Sequence, residues 1–222
     1  MKRLLAVVAV LALATFGAGP AVAAPNIYHV ISSSNGSAYV AVPDGCELTE
    51  VFLSSSVAMY AAQPGPVNKQ GLTSVFVRVT DTCVPVAAAA GGGGDVLFEA
   101  QAMNMAKMVA DPRLRKASVS TAMEGTDADG NPVTVELDAT WTGTGELEHT
   151  TLSDATHFPE GNVVAVDNNL RRAAVAEVSV KVAGRSVSGT DPEATLELVK
   201  ANCVEVARRG VEEFFPCFGF PG

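Results

Sequence analysis

Aromatic side chains are scarce in this chain of 222 residues: they make up 6% of it, with one Trp, three Tyr and nine Phe. A barrel that crosses an outer membrane carries outward aromatic girdles at both interfaces, so the shortage argues against that architecture. Histidine is scarcer still, limited to His29, His149 and His157. Nucleophilic catalysis needs a base beside the nucleophile. No G-x-S-x-G elbow accompanies these histidines, since Gly184-Arg185-Ser186-Val187-Ser188 fails at its last position. Cations are few as well: 15 Lys and Arg face 24 Asp and Glu, for a net charge of −9. The densest basic cluster, Arg113, Arg115 and Lys116, reads as solvated loop charge, which argues against a nucleic-acid partner. No segment after the first apolar stretch approaches the roughly 20 residues of a membrane span.

That first stretch has the form of a secretory leader. Lys2 and Arg3 precede an uncharged apolar run from Leu4 to Phe16, and Ala21-Val22-Ala23 supplies an A-x-A cleavage site. Residues 1–23 are therefore expected to be removed, leaving one domain over 24–222 that is secreted or periplasmic. Loss of two cations with the leader takes the net charge from −9 to −11, which favours solubility and names no partner.

Four cysteines in an exported chain imply two disulfides. Cys46 and Cys83 are equidistant from Pro64–Gly65, inside the turn sequence Gln63-Pro64-Gly65-Pro66. A hairpin of Val51 to Tyr60 with Leu72 to Thr80 about that turn would bring them together. Cys203 and Cys217 flank Gly210, and their bridge would contribute about 3 kcal/mol by constraining the unfolded chain. Sequence alone leaves the other connectivities open.

The least ambiguous element is Pro132 to Thr142. Val133, Val135, Leu137, Ala139 and Trp141 alternate with Thr134, Glu136, Asp138, Thr140 and Thr142, a strand with one wet face. With Lys116 to Glu124 it forms a hairpin across the polar turn Thr126 to Asn131. Further strands are expected at Asn26 to Ile31, Ala38 to Val42, Val96 to Met103, Leu147 to Leu152, Val163 to Val166 and Ala174 to Val182, with a turn at Ser32 to Gly36. Residues 103–110 and 191–208 are ambiguous. Asp191-Pro192 could open a helix as N-cap and first residue, whereas Leu196 and Leu198 alternate as in a strand. The Ala/Gly-rich segment at 86–94 reads as a loop within the domain in preference to a linker. About eight to ten short strands with little helix imply an all-β chain, with an immunoglobulin-like antiparallel β-sandwich as the natural architecture. In the hairpin about Pro64, Phe52 and Phe76 fall on the polar phase, with Phe76 covering an edge.

Candidate chemistry is sparse, and a binding or structural module is a better reading than an enzyme. Met103, Met105 and Met108 offer thioethers that could hold copper(I). Asp127 and Asp129, in Asp127-Ala128-Asp129-Gly130-Asn131 with Asp138 beyond, alternate oxygen ligands as a calcium loop does, although Gly130 and Pro132 stand at the wrong positions and a plain turn accounts for the pattern. Glu148, His149, His157 and Glu160 match no compact zinc motif. A secreted hydrolase using carboxylates from separate strands is the remaining alternative. Asn35-Gly36-Ser37 fits a glycosylation sequon. Sugar binding usually needs exposed aromatic platforms, and the sole Trp in core phase with three scattered Tyr argues against it. Phe214, Phe215, Phe218 and Phe220 cluster around Cys217 in a disulfide-tied tail, either packed on the domain or open to a protein or surface partner.

Overall fold

The computed structural model describes residues 26–60, 67–83 and 95–207. They form ten strands: β1 (Asn26–Asp44), β2 (Glu47–Tyr60), β3 (Asn68–Asp81), β4 (Val96–Asn104), β5 (Val109–Ala110), β6 (Lys116–Asp127), β7 (Pro132–Gly143), β8 (Glu148–Phe158), β9 (Gly161–Val182) and β10 (Arg185–Ala207). All pairings are antiparallel, so the all-β reading holds. The immunoglobulin-like sandwich is not confirmed. Hydrogen bonding runs β1-β2-β3-β4-β6-β7-β9-β10, and β10 pairs back onto β1, so one sheet closes on itself. The closure rests on long strands. β9 has 22 residues and β10 has 23, and β9 pairs with β10 over its whole length while serving β8 with its first half and β7 with its second.

Two expected breaks are absent for the same reason. Ser32 to Gly36 does not turn; it runs extended within β1, hydrogen-bonded to β2 on one side and β10 on the other. The polar stretch between Val166 and Ala174 likewise continues β9. Turn-forming side chains lose to a ladder on both edges, which satisfies every backbone donor and acceptor they could otherwise cap. The two expected hairpins are present. β6 and β7 pair from Lys116↔Thr142 to Thr126↔Pro132, and β2 and β3 from Glu47↔Asp81 to Tyr60↔Asn68. Of the ambiguous segments, 103–104 ends β4, 105–108 is irregular, and 191–207 is strand. β3 and β4, on either side of the Ala/Gly-rich segment, are direct neighbours.

The period-two pattern places apolar side chains inside. Val135, Leu137, Ala139 and Trp141 of β7 meet Ala174, Ala176, Val178, Val180 and Val182 of β9, with Val51, Leu53, Val75, Val77 and Leu196 from other strands. Thr134, Glu136 and Asp138 face water. Along β7 the strand is thus apolar within and polar without. Trp141 is fully buried, and its Nε1 donates to the Ser37 carbonyl of β1 at 3.0 Å, tying opposite walls together. Removing an indole of this size from water contributes roughly 5 kcal/mol by area. Gly36 makes room for it: a Cβ there would lie 3.1 Å from both Trp141 Cε2 and Met108 Sδ.

Cys46 and Cys83 are bridged, with Cα atoms 5.1 Å apart, and the bridge ties the β1–β2 turn to the end of β3. Such a pair points to an oxidising, extracytoplasmic compartment. No described helix is long and apolar enough to cross a membrane. The leader, the Ala/Gly-rich segment, the Cys203–Cys217 pairing and the Phe214, Phe215, Phe218 and Phe220 cluster lie outside the described residues.

Candidate binding groove on the outer face

Strand register fixes what the outer face presents. Across β1, β2, β3 and β4, Tyr39, Phe52, Phe76 and Gln101 stand directly opposite one another. The next outward row is Ser37, Ser54, Ser74 and Met103, and on the other side runs Ala41, Glu50, Arg78 and Glu99. An aromatic row therefore lies between a hydroxyl row and a charged one. Tyr39 and Phe52 rings are 4.7 Å apart and Phe52 and Phe76 6.0 Å apart, tilted in both pairs as aromatic quadrupoles favour. Tyr39 is 42% exposed and Phe52 45%, although both are large and apolar.

The row is held at both ends. Tyr39 Oη donates to Glu50 Oε1 at 2.6 Å. That hydrogen bond, then burial and the carboxylate charge, raises the phenol pKa above its ordinary value. At the far end the Arg78 guanidinium lies 5.4 Å from the Phe76 ring centroid and pairs with Glu99 at 2.6 Å.

Around the row is a groove of about 860 Å³, bordered by Met103, Gln101, Glu124 and Glu193. One wall comes from a bulge in β10, where the register with β9 shifts between Asp191 and Ala194. Pro192 has no N–H for the ladder, and a bulge is where a strand tolerates it. The Asp191 carboxylate replaces the missing pairing: Oδ2 accepts from the Tyr39 amide and Oδ1 from the Glu193 amide, each at 2.8 Å. At 7% exposure it is the one buried acid among the described residues. The opposite wall is the short seam of β4 and β6, Ala100 to Ala102 against Gly125 to Asp127. A Cβ at Gly125 would lie 2.1 Å from the Gln101 carbonyl oxygen, so only glycine permits this approach.

The sequence candidates are dispersed. Met108 is in the core at 1% exposure, whereas Met103 and Met105 are exposed at 63% and 53%, so the three thioethers do not share a face. Met103 lines the groove instead. Asp127 is surrounded by donors of its own turn. Oδ1 accepts the Asp129 and Asn131 amides at 3.0 and 2.8 Å, and Oδ2 accepts Asn131 Nδ2 at 2.9 Å. The Asn131 side chain foremost, with the backbone donors, lowers the Asp127 pKa. Asp129 and Asp138 are exposed. His149 and His157 lie on one face of β8 and Glu148 on the other. Among the described residues, metal-donor atoms converge only at Cys46, Asp81 and Cys83, within 4.8 Å, and those two sulfurs are already bonded to each other.

Trp141 is core, as its phase implies, but Tyr39 and Phe52 are exposed and share one row with the half-buried Phe76. Two signals for it were in the sequence: Phe52 and Phe76 both on the polar phase, and a hairpin centre that makes them cross-strand partners. Tyr39 needed the β1 register. No family model, curated protein or solved structure matches the chain.

Proposed function

We propose that the chain is an exported, non-catalytic binding module that holds a neutral sugar chain along Tyr39, Phe52 and Phe76. The aromatic row carries this reading. It crosses three strands spaced by about 4.8 Å, so its end rings stand about 10 Å apart, roughly the length of a disaccharide. The C–H faces of sugar rings stack on aromatic faces, and their hydroxyls find partners in the flanking serines, Gln101 and the acids at the rim. Glu124 and Glu193 on the groove, with Glu50 beside it, disfavour an anionic ligand. Export is supported by the leader pattern and by the Cys46–Cys83 bridge.

A binding role fits the carboxylates better than catalysis does. Asp191 is engaged by two amides, Glu50 by the Tyr39 hydroxyl and Glu124 by the Thr134 hydroxyl at 3.2 Å. The test is retention of the mature protein by a panel of neutral polysaccharides, with Phe52→Ala as comparison. Removing the central ring is expected to weaken retention about tenfold, the equivalent of 1.4 kcal/mol, with unchanged circular dichroism. No retention by any neutral polysaccharide, or equal retention of Phe52→Ala, refutes the reading.

A further inference from the structure

Short side chains make the floor of the groove. Beside the aromatic row, Ser37, Ser54 and Ser74 stand opposite one another on β1, β2 and β3, and Met103 continues the line on β4. The line crosses the strands as a trough, with Tyr39, Phe52 and Phe76 along one side. Both ends are acidic. Glu193 stands on β10 beyond β1, and Glu124 on β6 beyond β4, and both are exposed. Among the described residues no Lys or Arg lines the trough.

The lining draws on β10, β1, β2, β3, β4 and β6, which are neighbours in that order. Their five gaps of about 4.8 Å give roughly 24 Å measured along the sheet, and at about 10 Å per disaccharide this is the length of about five sugar units. The rings are not coplanar. Tyr39 and Phe52 are inclined at 40° and Phe52 and Phe76 at 48°, on a sheet that curves because it closes on itself. A flat face of packed chains can rest on only one of three rings so inclined, whereas a single chain can turn from ring to ring.

Resting on the sugar reading, we infer that the groove takes one isolated chain, seated across the strands over about five consecutive units, and not the ordered face of a packed polysaccharide. Tyr39, Phe52 and Phe76 stack on neighbouring units, and the Ser54 and Ser74 hydroxyls meet the hydroxyls of the same units. Glu193 and Glu124 accept hydrogen bonds from units at the two ends. A disaccharide on the aromatic row stops about two strands short of Glu124, so that contact depends on chain length.

Calorimetric titration of the mature protein with neutral 1,4-linked oligomers of glucose (both anomers), mannose and xylose, two to six units long, tests this. Affinity is expected to rise about tenfold or more from two units to five and to level off at six. Glu124→Ala is expected to lower the six-unit affinity about threefold, a larger loss than at two units. The six-unit oligomer is also expected to release the protein from the insoluble polymer of the same sugar. Equal affinity for two and five units, a Glu124→Ala loss no larger at six units than at two, or retained protein that no six-unit oligomer releases would each overturn the inference and leave the sugar reading standing. Absence of retention by every neutral polysaccharide removes the sugar reading, and this inference with it.

Discussion

Asp191→Ala is the substitution that most sharply tests how the groove is built. The Asp191 carboxylate accepts two main-chain amides, Tyr39 N and Glu193 N, each at 2.8 Å. Hydrogen bonds to a charged acceptor contribute about 1.5–3 kcal/mol each. The two bonds do not count equally, because Glu193 is exposed and its amide can turn to water, whereas the Tyr39 amide sits beside a carboxylate only 7% exposed. Taking most of one bond and part of the other, the loss is about 3 kcal/mol, a large share of the 5–15 kcal/mol typical of a domain. Asp191→Asn keeps one acceptor and turns an N–H₂ group towards a donor, so its cost is expected to fall between wild type and Ala. The assay is urea unfolding, with the midpoint shifting and the slope unchanged. A loss below about 1 kcal/mol for Asp191→Ala would show that the carboxylate does not hold the bulge against β1.

Three further outcomes follow from the same contacts. Trp141→Phe removes the bond to the Ser37 carbonyl and leaves a void under Gly36, and a loss of about 2 kcal/mol is expected in the same urea assay. Cys46→Ser with Cys83→Ser opens a link across a separation of 37 residues, worth about 4 kcal/mol of unfolded-chain entropy, read as a fall in thermal midpoint relative to wild type under non-reducing conditions. Asp111 is held at a pKa of about 2, chiefly by the Arg115 side chain and then by the Arg113 amide. Because this folded value lies below the ordinary one, its contribution is present above about pH 4 and lost as pH falls towards about 2. Asp111→Asn should flatten that part of the stability profile, and an unchanged acid limb would contradict the pairing.

The parts of the fold legible in the sequence are those set by neighbours along the chain. β6 and β7 could be paired because five alternating apolar residues ending at Trp141 meet a short polar turn, and β2 and β3 because their cysteines are symmetric about Pro64–Gly65. Closure of the sheet was not legible, because it depends on β1 meeting β10 across most of the chain, which no local pattern encodes. At Asp191-Pro192 the local signal was real but its meaning differed: the aspartate does cap an amide two residues on, at a strand bulge instead of a helix start. For the groove, the composition misled. Few aromatics suffice when register gathers three of them, and the phase of Phe52 and Phe76 was a better guide than their number.

The central claim is that the aromatic row is the contact surface for a neutral sugar chain. Backbone NMR of the mature protein titrated with the best-retained soluble oligosaccharide tests it most directly. Shifts are expected at Tyr39, Phe52, Phe76 and Gln101, with none at the hydroxyl-rich outer face formed by Ser120, Asp138, Ser179 and Ser188 on the other strands. Shifts centred on that second face, with the aromatic row unmoved, would contradict it.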